Sequence, residues 1–353
     1  MDSGDSATIR LAHGGGGQAM RALIHDELLP ILGAHAAADH DATVLGLPAG
    51  RLAFSSDSYV VQPLEFPGGD IGRLAVVGTA NDLAMAGARP LHLSLALILE
   101  EGLPLPLLRR LLTSMAAAAR DCGVTIVTGD TKVVERGRAD GLYVTTSGLG
   151  VVEAPGPITA SALSAGDALL LSGDLGRHGV AILAARHGLR LDPPLASDCA
   201  PLWPQVQQLL AAGVVPRFLR DLTRGGLAAT LEELAMASGL DLRLQEPALP
   251  LLPAVTGTCA LLGLEPLQLA CEGRFLLAVE PRQLPRALAL LSPGGGALVG
   301  QAQAPPPACH HGWCWSPASA ASGCCLPPRG ICCRGSAEHQ PCRHGLVRFC
   351  GAA

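Results

Sequence analysis

Residues 91–128 read LHLSLALILEEGLPLPLLRRLLTSMAAAARDCGVTIVT, and this stretch decides the fold class of the chain. Residues 91–99 form an almost continuous apolar run, which is typical of a strand buried on both faces. The pattern predicts a helix over Leu105–Cys122 and a second extended segment over 124–128. Strand, helix and strand in this order indicate an α/β architecture.

The same alternation continues on both sides of this stretch. Upstream it predicts helices over 18–32 and 70–86, the second capped by Asp70, and a strand over 53–61. Downstream a proline-rich break at 154–157 separates a second series of strands and helices. We therefore expect two α/β halves, 1–153 and 158–301. The first series ends with an extended segment at Leu142–Val152. The second series comprises 168–172, 180–187, Gly226–Ser238, 275–280 and Leu284–Leu291.

Composition excludes several classes of protein. The chain has 353 residues, of which 49% are hydrophobic, so a buried core is expected over most of its length. No signal peptide and no apolar run of about 18 residues is visible, which argues against secretion and a membrane span. The net charge of −5 argues against a nucleic-acid surface. The scattered Cys122, Cys199, Cys259 and Cys271 are typical of reduced core residues in a cytoplasmic protein.

The last 52 residues, 302–353, differ from the rest. They contain eight of the 12 cysteines, and no helical or strand period can be traced in them. Their composition predicts a disordered tail without a core of its own. Translation in another reading frame, a diverged flexible tail, and a zinc site at Cys309, His310, His311 and Cys314 are all open readings of this segment.

One lysine stands against 24 arginines in the whole chain. This residue, Lys132, follows a predicted strand and a Gly129-Asp130 turn. A lysine ammonium suits a single phosphate oxygen, whereas arginine offers a rigid fork. The pattern therefore favours a phosphate contact, and the alternative is a surface lysine retained by chance.

Five aspartates lie beside apolar or small residues at the predicted ends of strands and helices. Carboxylates in such positions need a partner, and Mg²⁺ accepts one or two of them together with nucleotide phosphates. For each residue taken alone, a helix cap or a turn is the alternative. They are Asp41, Asp57, Asp82, Asp130 and Asp221.

Two glycine runs precede predicted helices. Gly14, Gly15 and Gly16 lead into the helix at 18–32, and Arg224 with its following glycines leads into Gly226–Ser238. Backbone N–H groups at such positions meet anions. A flexible hinge is the alternative, because neither run matches a dinucleotide or Walker pattern.

Several motifs together resemble the hydrogenase maturation factor HypE family. They are Asp57-Ser58-Tyr59-Val60-Val61, Phe66-Pro67-Gly68-Gly69-Asp70-Ile71-Gly72, Thr79-Ala80-Asn81-Asp82-Leu83-Ala84-Met85, Glu100-Glu101-Gly102-Leu103-Pro104 and Thr128-Gly129-Asp130-Thr131-Lys132-Val133-Val134. The likeness is continuous over about 9–150 and traceable to about 300. It implies an α/β fold with two halves like those of aminoimidazole ribonucleotide synthetase (PurM-like), the first dimerising through its sheet.

The resemblance also implies a function and a set of site residues. HypE-like proteins receive a carbamoyl group on a C-terminal cysteine from a carbamoyltransferase (HypF-like) partner. They use ATP and Mg²⁺ to dehydrate it to a thiocyanate, and the cyanide passes to hydrogenase iron through a HypC–HypD-like complex. The carried-over residues are Asp41, Asp57, Asp82 and Asp221 for metal, Asn81, Asp130, Thr131 and Lys132 for nucleotide, and Lys132 and Cys332 for catalysis.

The tail departs from the family pattern, which ends in Pro-Arg-Ile-Cys. The nearest match here is Pro328-Arg329-Gly330-Ile331-Cys332, and the chain ends Phe349-Cys350-Gly351-Ala352-Ala353. We therefore expect no carbamoyl transfer to this chain. An ATP-binding scaffold without carbamoyl chemistry is one alternative function. Another PurM-like ATP enzyme, such as a selenophosphate synthetase or a thiamine-phosphate kinase, is a second, although no Cys-Gly nucleophile precedes the first glycine run.

Overall fold

A computed structural model describes residues 8–15, 17–33, 42–305 and 347–350. Gly16, Asp41, Cys332 and the tail cysteines and histidines at 309–314 lie outside the described residues, so the predictions for them stay predictions. Within the described part of the chain, no helix is long and apolar enough to cross a bilayer.

The first half is a four-stranded sheet with helices on one face. Its strand order is β1-β6-β4-β5, in which only the β4–β5 pair is parallel. Along α4, Leu108, Leu111, Leu112 and Met115 are fully buried at helical spacing and pack on the sheet. The elements are α1 (Gly17–Ala22), α2 (Leu29–Leu32), β1 (Leu52–Tyr59), β2 (Glu65–Phe66), β3 (Gly69–Asp70), α3 (Ile71–Met85), β4 (Ala88–Glu100), α4 (Leu105–Cys122), β5 (Thr125–Val134) and β6 (Leu142–Val152).

Local chemistry explains where these helices begin and end. Asp70 caps α3, since its Oδ1 accepts a hydrogen bond of 2.9 Å from the Arg73 backbone N–H. Gly123 ends α4 in the left-handed conformation. The predicted bounds of α4 and β6 are confirmed to the residue.

The predicted turn at Gly129-Asp130 is wrong, because β5 continues through both residues to Val134. A Cβ atom on Gly129 would lie 2.3 Å from the Leu95 carbonyl oxygen of the neighbouring strand. The glycine therefore allows a close approach of two strand backbones, not a change of direction.

The second half is a six-stranded sheet with helices on both faces. Its strand order is β12-β9-β11-β7-β10-β8, and every residue of β10 is buried. Leu276 and Ala278 face one apolar cluster while Phe275, Leu277 and Val279 face another. The elements are β7 (Ala168–Leu171), α5 (Arg177–His187), α6 (Trp203–Ala211), β8 (Phe218–Asp221), α7 (Gly226–Ser238), β9 (Asp241–Gln245), α8 (Pro253–Leu262), β10 (Phe275–Val279), α9 (Leu284–Leu291), β11 (Ala297–Gln303) and β12 (Val347–Cys350).

Two features of this half differ from expectation. The strand β11 runs to Gln303, and Ala302 is fully buried, so the core extends past the predicted start of the tail. Residues Val347–Cys350, within the segment predicted to be disordered, pair in parallel with β9. The prediction that the four body cysteines are reduced and buried is confirmed for Cys122, Cys199, Cys259 and Cys271.

The helix α3 joins the two halves. The Asn81 side chain donates through Nδ2 to the carbonyl oxygens of Ala200 (3.1 Å) and Glu272 (3.3 Å), and its Oδ1 accepts from the Leu202 N–H (2.8 Å). At the end of α3, Ala84 and Met85 pack into an apolar cluster of the second half. These contacts place the ends of β1 and β8 on the same side of α3, where the site is found.

Candidate functional site

Four carboxyl groups from both halves lie near one another beside α3. Asp57 lies on β1, whose alternation turns Ser55, Asp57 and Tyr59 toward α3. Asp82 lies on α3 and accepts a hydrogen bond of 2.6 Å from the Ser55 hydroxyl. Asp221 is the last residue of β8, and Glu272 lies three residues before the start of β10.

The pKa values of Asp82, Asp221 and Glu272 are raised, first by burial and then by the negative charges of neighbouring carboxyl groups. Loss of solvent raises the pKa of Asp221 to about 7, and the negative charge of Asp82 adds to this effect. The pKa of Asp82 is raised by burial, with a further contribution from Asp57. The pKa of Glu272 lies well above its usual value because of burial, with Asp221 as the next cause. Each of these shifts disfavours the charged form of a carboxyl group, so a cation is favoured at the site.

A cavity of about 640 Å³ opens beside these carboxyl groups. Its volume is typical of small-molecule sites. Asp57, Asp221 and Glu272 form an acidic wall, Arg186 and Arg224 supply positive charge, and His178 also lines it. The cavity thus combines carboxyl groups that suit a cation, guanidinium groups that suit anionic oxygens, and an imidazole.

Arg224 reaches this cavity because of a glycine pair. Gly225 and Gly226, both at positive φ, turn the chain from β8 into α7. A Cβ atom on Gly226 would lie 2.5 Å from the Leu267 carbonyl oxygen. The second glycine run is therefore a packing requirement that holds Thr223 and Arg224 at the cavity, where an anion is favoured.

The predicted metal site is not preassembled. In the residues that the structure describes, no three His, Cys, Asp or Glu side chains are grouped closely enough to hold a metal ion. Mg²⁺ usually takes only one or two carboxylates and completes its shell with phosphate oxygens and water. The assignment of Asp57, Asp82 and Asp221 to metal stays a prediction.

Lys132 and Asp130 lie at the opposite edge of the first sheet. Their side chains form an ion pair of 3.1 Å and are 64% and 58% exposed. Across the sheet, Asp57 pairs with Thr146, Thr146 with Leu95, and Leu95 with Gly129. Three strand spacings amount to about 14 Å. Lys132 also points to the face away from α3 and α4, so one chain does not bring it to the carboxyl groups.

The first glycine run lies beside the same edge. A Cβ atom on Gly14 would lie 2.8 Å from Val133 Cβ, whereas Gly15 faces open space. Gly14 and Gly15 therefore accompany Lys132, not Arg224. Thr131 is 4% exposed on the helix-covered side of β5. The structure thus divides the predicted nucleotide residues into two sets. Arg224 lies at the cavity, whereas β5 and its neighbourhood hold Gly14, Gly15, Asp130, Thr131 and Lys132. Asn81 joins the two halves.

Sequence reasoning missed Glu272, His178 and Arg186 as site residues. Glu272 stands alone in a short segment before a fully apolar strand, the kind of position that was flagged for the aspartates. His178 is the second residue of α5, and no local motif marks it as a site residue. Its role is not readable from spacing, because the segments that meet it are distant in sequence.

Comparison with protein families divides the chain in the same order as its two sheets. Residues 39–152 match the family model "AIR synthase related protein, N-terminal domain". Residues 164–306 match "AIR synthase related protein, C-terminal domain".

Two similar proteins are both carbamoyl dehydratases named HypE. The carbamoyl dehydratase HypE of Rhodobacter capsulatus is 49% identical over 303 residues, which cover 84% of this chain and 89% of the relative. The carbamoyl dehydratase HypE of Escherichia coli (strain K12) is 48% identical over 303 residues, covering 83% and 90%.

Solved structures agree. The hydrogenase maturation protein HypE in complex with ATP superposes with a TM-score of 0.81 at 43% identity, covering 84% of this chain and 90% of that one. HypE in the HypE–HypF complex gives 0.70 at 37% identity, covering 82% and 94%. A thiamine-monophosphate kinase from Stenotrophomonas maltophilia K279a, at 20% identity and a TM-score of 0.59, shares the fold. The chain belongs to the HypE family of carbamoyl dehydratases.

Proposed function

We propose that this protein uses ATP to dehydrate a carbamoyl group carried on a cysteine sulfur to a thiocyanate, which supplies cyanide for the iron of a [NiFe]-hydrogenase. The observation that carries the proposal is a cavity lined by residues of both halves. It contains carboxyl groups with raised pKa values together with two arginines. The ATP complex of a HypE protein of the same fold supports the choice of nucleotide.

The chemistry balances in two steps. The carbamoyl oxygen attacks the γ-phosphorus of ATP, one N–H proton leaves, and ADP departs, which leaves an O-phosphorylated imidate on sulfur. A second N–H proton then leaves as the C–O bond breaks, which releases phosphate and forms the C≡N triple bond. An amide oxygen is a poor leaving group, so phosphorylation makes the elimination possible.

Mg²⁺ fits the carboxyl groups beside α3. Asp57, Asp82 and Asp221 offer hard oxygen ligands, and the pKa of Asp221 is raised by burial and then by the charge of Asp82, both of which a cation would offset. These residues would hold the ion, which supplies charge neutralisation at the phosphates when bound. Arg186 and Arg224 would bind phosphate oxygens from the other wall.

Glu272 is suited to take a proton from the carbamoyl nitrogen. It lines the cavity, and its pKa is raised because burial and neighbouring carboxylates disfavour its charged form. A carboxylate with a raised pKa binds a proton more tightly than an ordinary one, which makes it a better base near neutral pH.

Lys132 would reach the site of a second subunit. The face of the first sheet away from α3 and α4 is here called the open face. It exposes the apolar side chains of Phe54 on β1 (72% exposed) and of Ile98 on β4 (39% exposed), and Ile98 pairs with Lys132. Such a face is typical of a subunit interface. We propose a homodimer through the open face, in which Lys132, Asp130, Gly14 and Gly15 complete the partner's nucleotide site.

The partners and the domain limits follow from the same assignment. A solved HypE–HypF complex supports a HypF-like carbamoyltransferase as the donor. A HypC–HypD-like iron complex would accept the cyanide, and the cytoplasm is the proposed location. We keep 1–153 and 158–301 as the proposed domains. Cys332 is the tail cysteine that best matches the family's carrier, and we propose that it receives no carbamoyl group, because the chain does not end in the family's Pro-Arg-Ile-Cys.

The test supplies the substrate separately, as a synthetic peptide ending Pro-Arg-Ile-Cys with an S-carbamoyl group. Wild type with ATP and Mg²⁺ is expected to convert it to the thiocyanate, seen by mass spectrometry as the loss of one water. Asp82→Asn is expected to abolish conversion, while the exposed Asp26→Asn serves as the matched control. Calorimetric binding of ATP without any conversion by wild type would favour the scaffold, and absence of ATP binding would refute both.

A second measurement tests the carrier. Incubation with a HypF-like enzyme and carbamoyl phosphate, followed by peptide mass mapping, locates any carbamoyl adduct on the chain itself. The expected result is no carbamoyl adduct on the chain. An adduct on Cys332 that disappears in Cys332→Ser, or an adduct on Cys350, would contradict this expectation and identify that cysteine as the carrier.

A further inference from the structure

His178 lines the cavity, yet it belongs to neither the acidic nor the basic wall. It is 6% exposed, and the ring of Phe66 meets it edge-on with centroids 5.5 Å apart. This apolar enclosure disfavours the charged imidazolium, and burial lowers the pKa of His178 to about 4. At neutral pH the ring therefore offers one N–H donor and one nitrogen acceptor.

Ser197 decides which nitrogen carries the proton. Its Oγ lies 2.9 Å from His178 Nδ1 and accepts a hydrogen bond of 3.1 Å from the Cys199 N–H. In the part of the chain that the structure describes, the Ser197 hydroxyl has no other acceptor. A buried hydroxyl donates where an acceptor exists, so Ser197 donates to Nδ1 and the proton of the neutral ring resides on Nε2.

The segment carrying Ser197 is held from two sides. The Ser197 N–H donates to the Pro67 carbonyl oxygen at 2.8 Å, and Gly68, at φ +90°, would place a Cβ atom 2.7 Å from Ser197 N. On the other side, Asp198 Oδ1 accepts from the Glu272 N–H at 3.1 Å. The Phe66-Pro67-Gly68-Gly69 motif thus braces Ser197, and the same segment ties His178 to Glu272.

We propose that His178 donates its Nε2–H to the oxygen of the carbamoyl group bound in the cavity, and that Ser197 fixes this tautomer. Nε2 has no hydrogen-bond partner among the described residues, and Nδ1 is already occupied, so Nε2 is the nitrogen left for a bound group. This inference rests on the proposed dehydratase function.

The choice of acceptor follows from charge. Phosphate oxygens find Arg186 and Arg224 in the same cavity, whereas an uncharged donor suits an uncharged carbonyl oxygen. A carbamoyl group is planar, with an acceptor at one end and N–H donors at the other. A donor at His178 and an acceptor at Glu272 therefore fix which end faces which residue, and they place the N–H protons at the base.

The experiment compares wild type, His178→Phe, His178→Gln and Ser197→Ala, with His187→Phe on the exposed end of α5 as the matched control. The S-carbamoyl peptide is the substrate. His178→Phe is expected to lower thiocyanate formation by about 10²-fold with little change in the Kd of ATP. His178→Gln, which keeps a neutral N–H near the Nε2 position, is expected to recover part of this loss. Ser197→Ala, which retains the ring, is expected to lose about tenfold.

A second readout tests the contact itself. Sulfur is a weaker acceptor than oxygen, so wild type is expected to bind the S-carbamoyl peptide more tightly than its thiocarbonyl analogue. His178→Phe is expected to bind both alike, which a merely structural role would not produce. If His178→Phe fails to fold, Ser197→Ala is expected to show a reduced preference for the oxygen peptide.

Three results would overturn the inference. They are full activity of His178→Phe, loss of ATP affinity in parallel with activity, and an unchanged preference between the two peptides in both variants. Failure of the proposed function is distinguishable, because wild type would then bind ATP but form no thiocyanate at all.

Discussion

The two edges of the first sheet differ in how they hold their polar residues. At the β1 edge, Asp57 lies under α3, and Asp82, Asp221 and Glu272 join it from other elements with pKa values raised by burial and mutual repulsion. At the β5 edge, Lys132 and Asp130 are two residues apart on the same strand, exposed, and paired with each other. One edge is assembled by tertiary contacts, and the other is local and open to a partner.

Under the proposed function, the β1 edge would carry the chemistry and the β5 edge would contact a second subunit. The β1 edge stores unfavourable charge that a cation and a nucleotide would relieve. Three strand spacings, about 14 Å, separate β5 from Asp57 on β1, and Lys132 lies on the open face. Lys132 therefore does not reach the carboxyl groups of its own chain.

The largest effect is expected at the β1 edge. Asp57→Asn combined with Asp82→Asn removes two of the carboxylates proposed to bind Mg²⁺. The double substitution should lower ATP-dependent thiocyanate formation by about 10³-fold or more, because metal contacts supply several kcal/mol. Steady-state rates with the S-carbamoyl peptide measure it. Asp26→Asn is the control, and activity within tenfold of wild type would remove these residues from the site.

Lys132→Ala is expected to lower kcat by about 10²-fold, since one preorganised positive donor is lost. If the two edges meet only between subunits, a mixture of Lys132→Ala and Asp57→Asn proteins should recover about a quarter of wild-type activity. Half of the dimers are then mixed, and one of the two sites in each mixed dimer has both Asp57 and Lys132 intact. Subunit exchange is followed by native mass spectrometry. Exchange without recovery would place both residues in a site within one chain.

Asn81→Ala tests the junction that holds the β1 edge together. The substitution removes three hydrogen bonds between the halves and leaves buried carbonyl groups unpaired, so the free energy of unfolding should fall by about 1–3 kcal/mol. Urea denaturation measures the loss. Gln62→Ala, which removes one exposed amide contact, is the control and should change stability by less than about 0.5 kcal/mol.

The smallest effect is a gain in stability. Between its ordinary pKa of 3.8 and about 7, Asp221 is ionised in the unfolded chain but protonated in the folded one, so the ligand-free protein loses stability as pH rises through this range. Asp221→Asn should therefore raise Tm more at pH 8 than at pH 5, by about 2–4 °C per kcal/mol relieved. Thermal melts without nucleotide measure this, and an equal gain at both pH values would contradict it.

Much of the first half could be predicted from its sequence. The apolar period of α4 and the continuous apolar run of β4 are local signals, and the capping of α3 by Asp70 needs only neighbouring residues. The turn at Gly129 was wrong because a glycine signals either a turn or a close approach, and only the position of Leu95 distinguishes them. The helices α6 and α8 were missed, since their prolines and short lengths weaken the periodic signal.

The candidate site was predicted less completely than the fold. Lys132 stood out because composition made it unique, and the aspartates because they adjoin apolar runs. Glu272 and His178 gave no such signal, because each depends on residues far away in the chain. His178 is defined by Ser197, nineteen residues downstream, and by Phe66 more than a hundred residues upstream.

Local sequence patterns were enough to predict the two α/β halves, the family, and most of the charged residues proposed to bind the metal ion and the nucleotide. How those residues are grouped in space depends on the tertiary structure. Strand order separates Lys132 from Asp57 by the width of a sheet, and the packing of α3 brings Asp82 to Asp221 and Glu272. The physical reason is that hydrophobic periodicity fixes local elements, whereas pKa, tautomer and charge balance depend on burial and on neighbours that only the folded chain supplies.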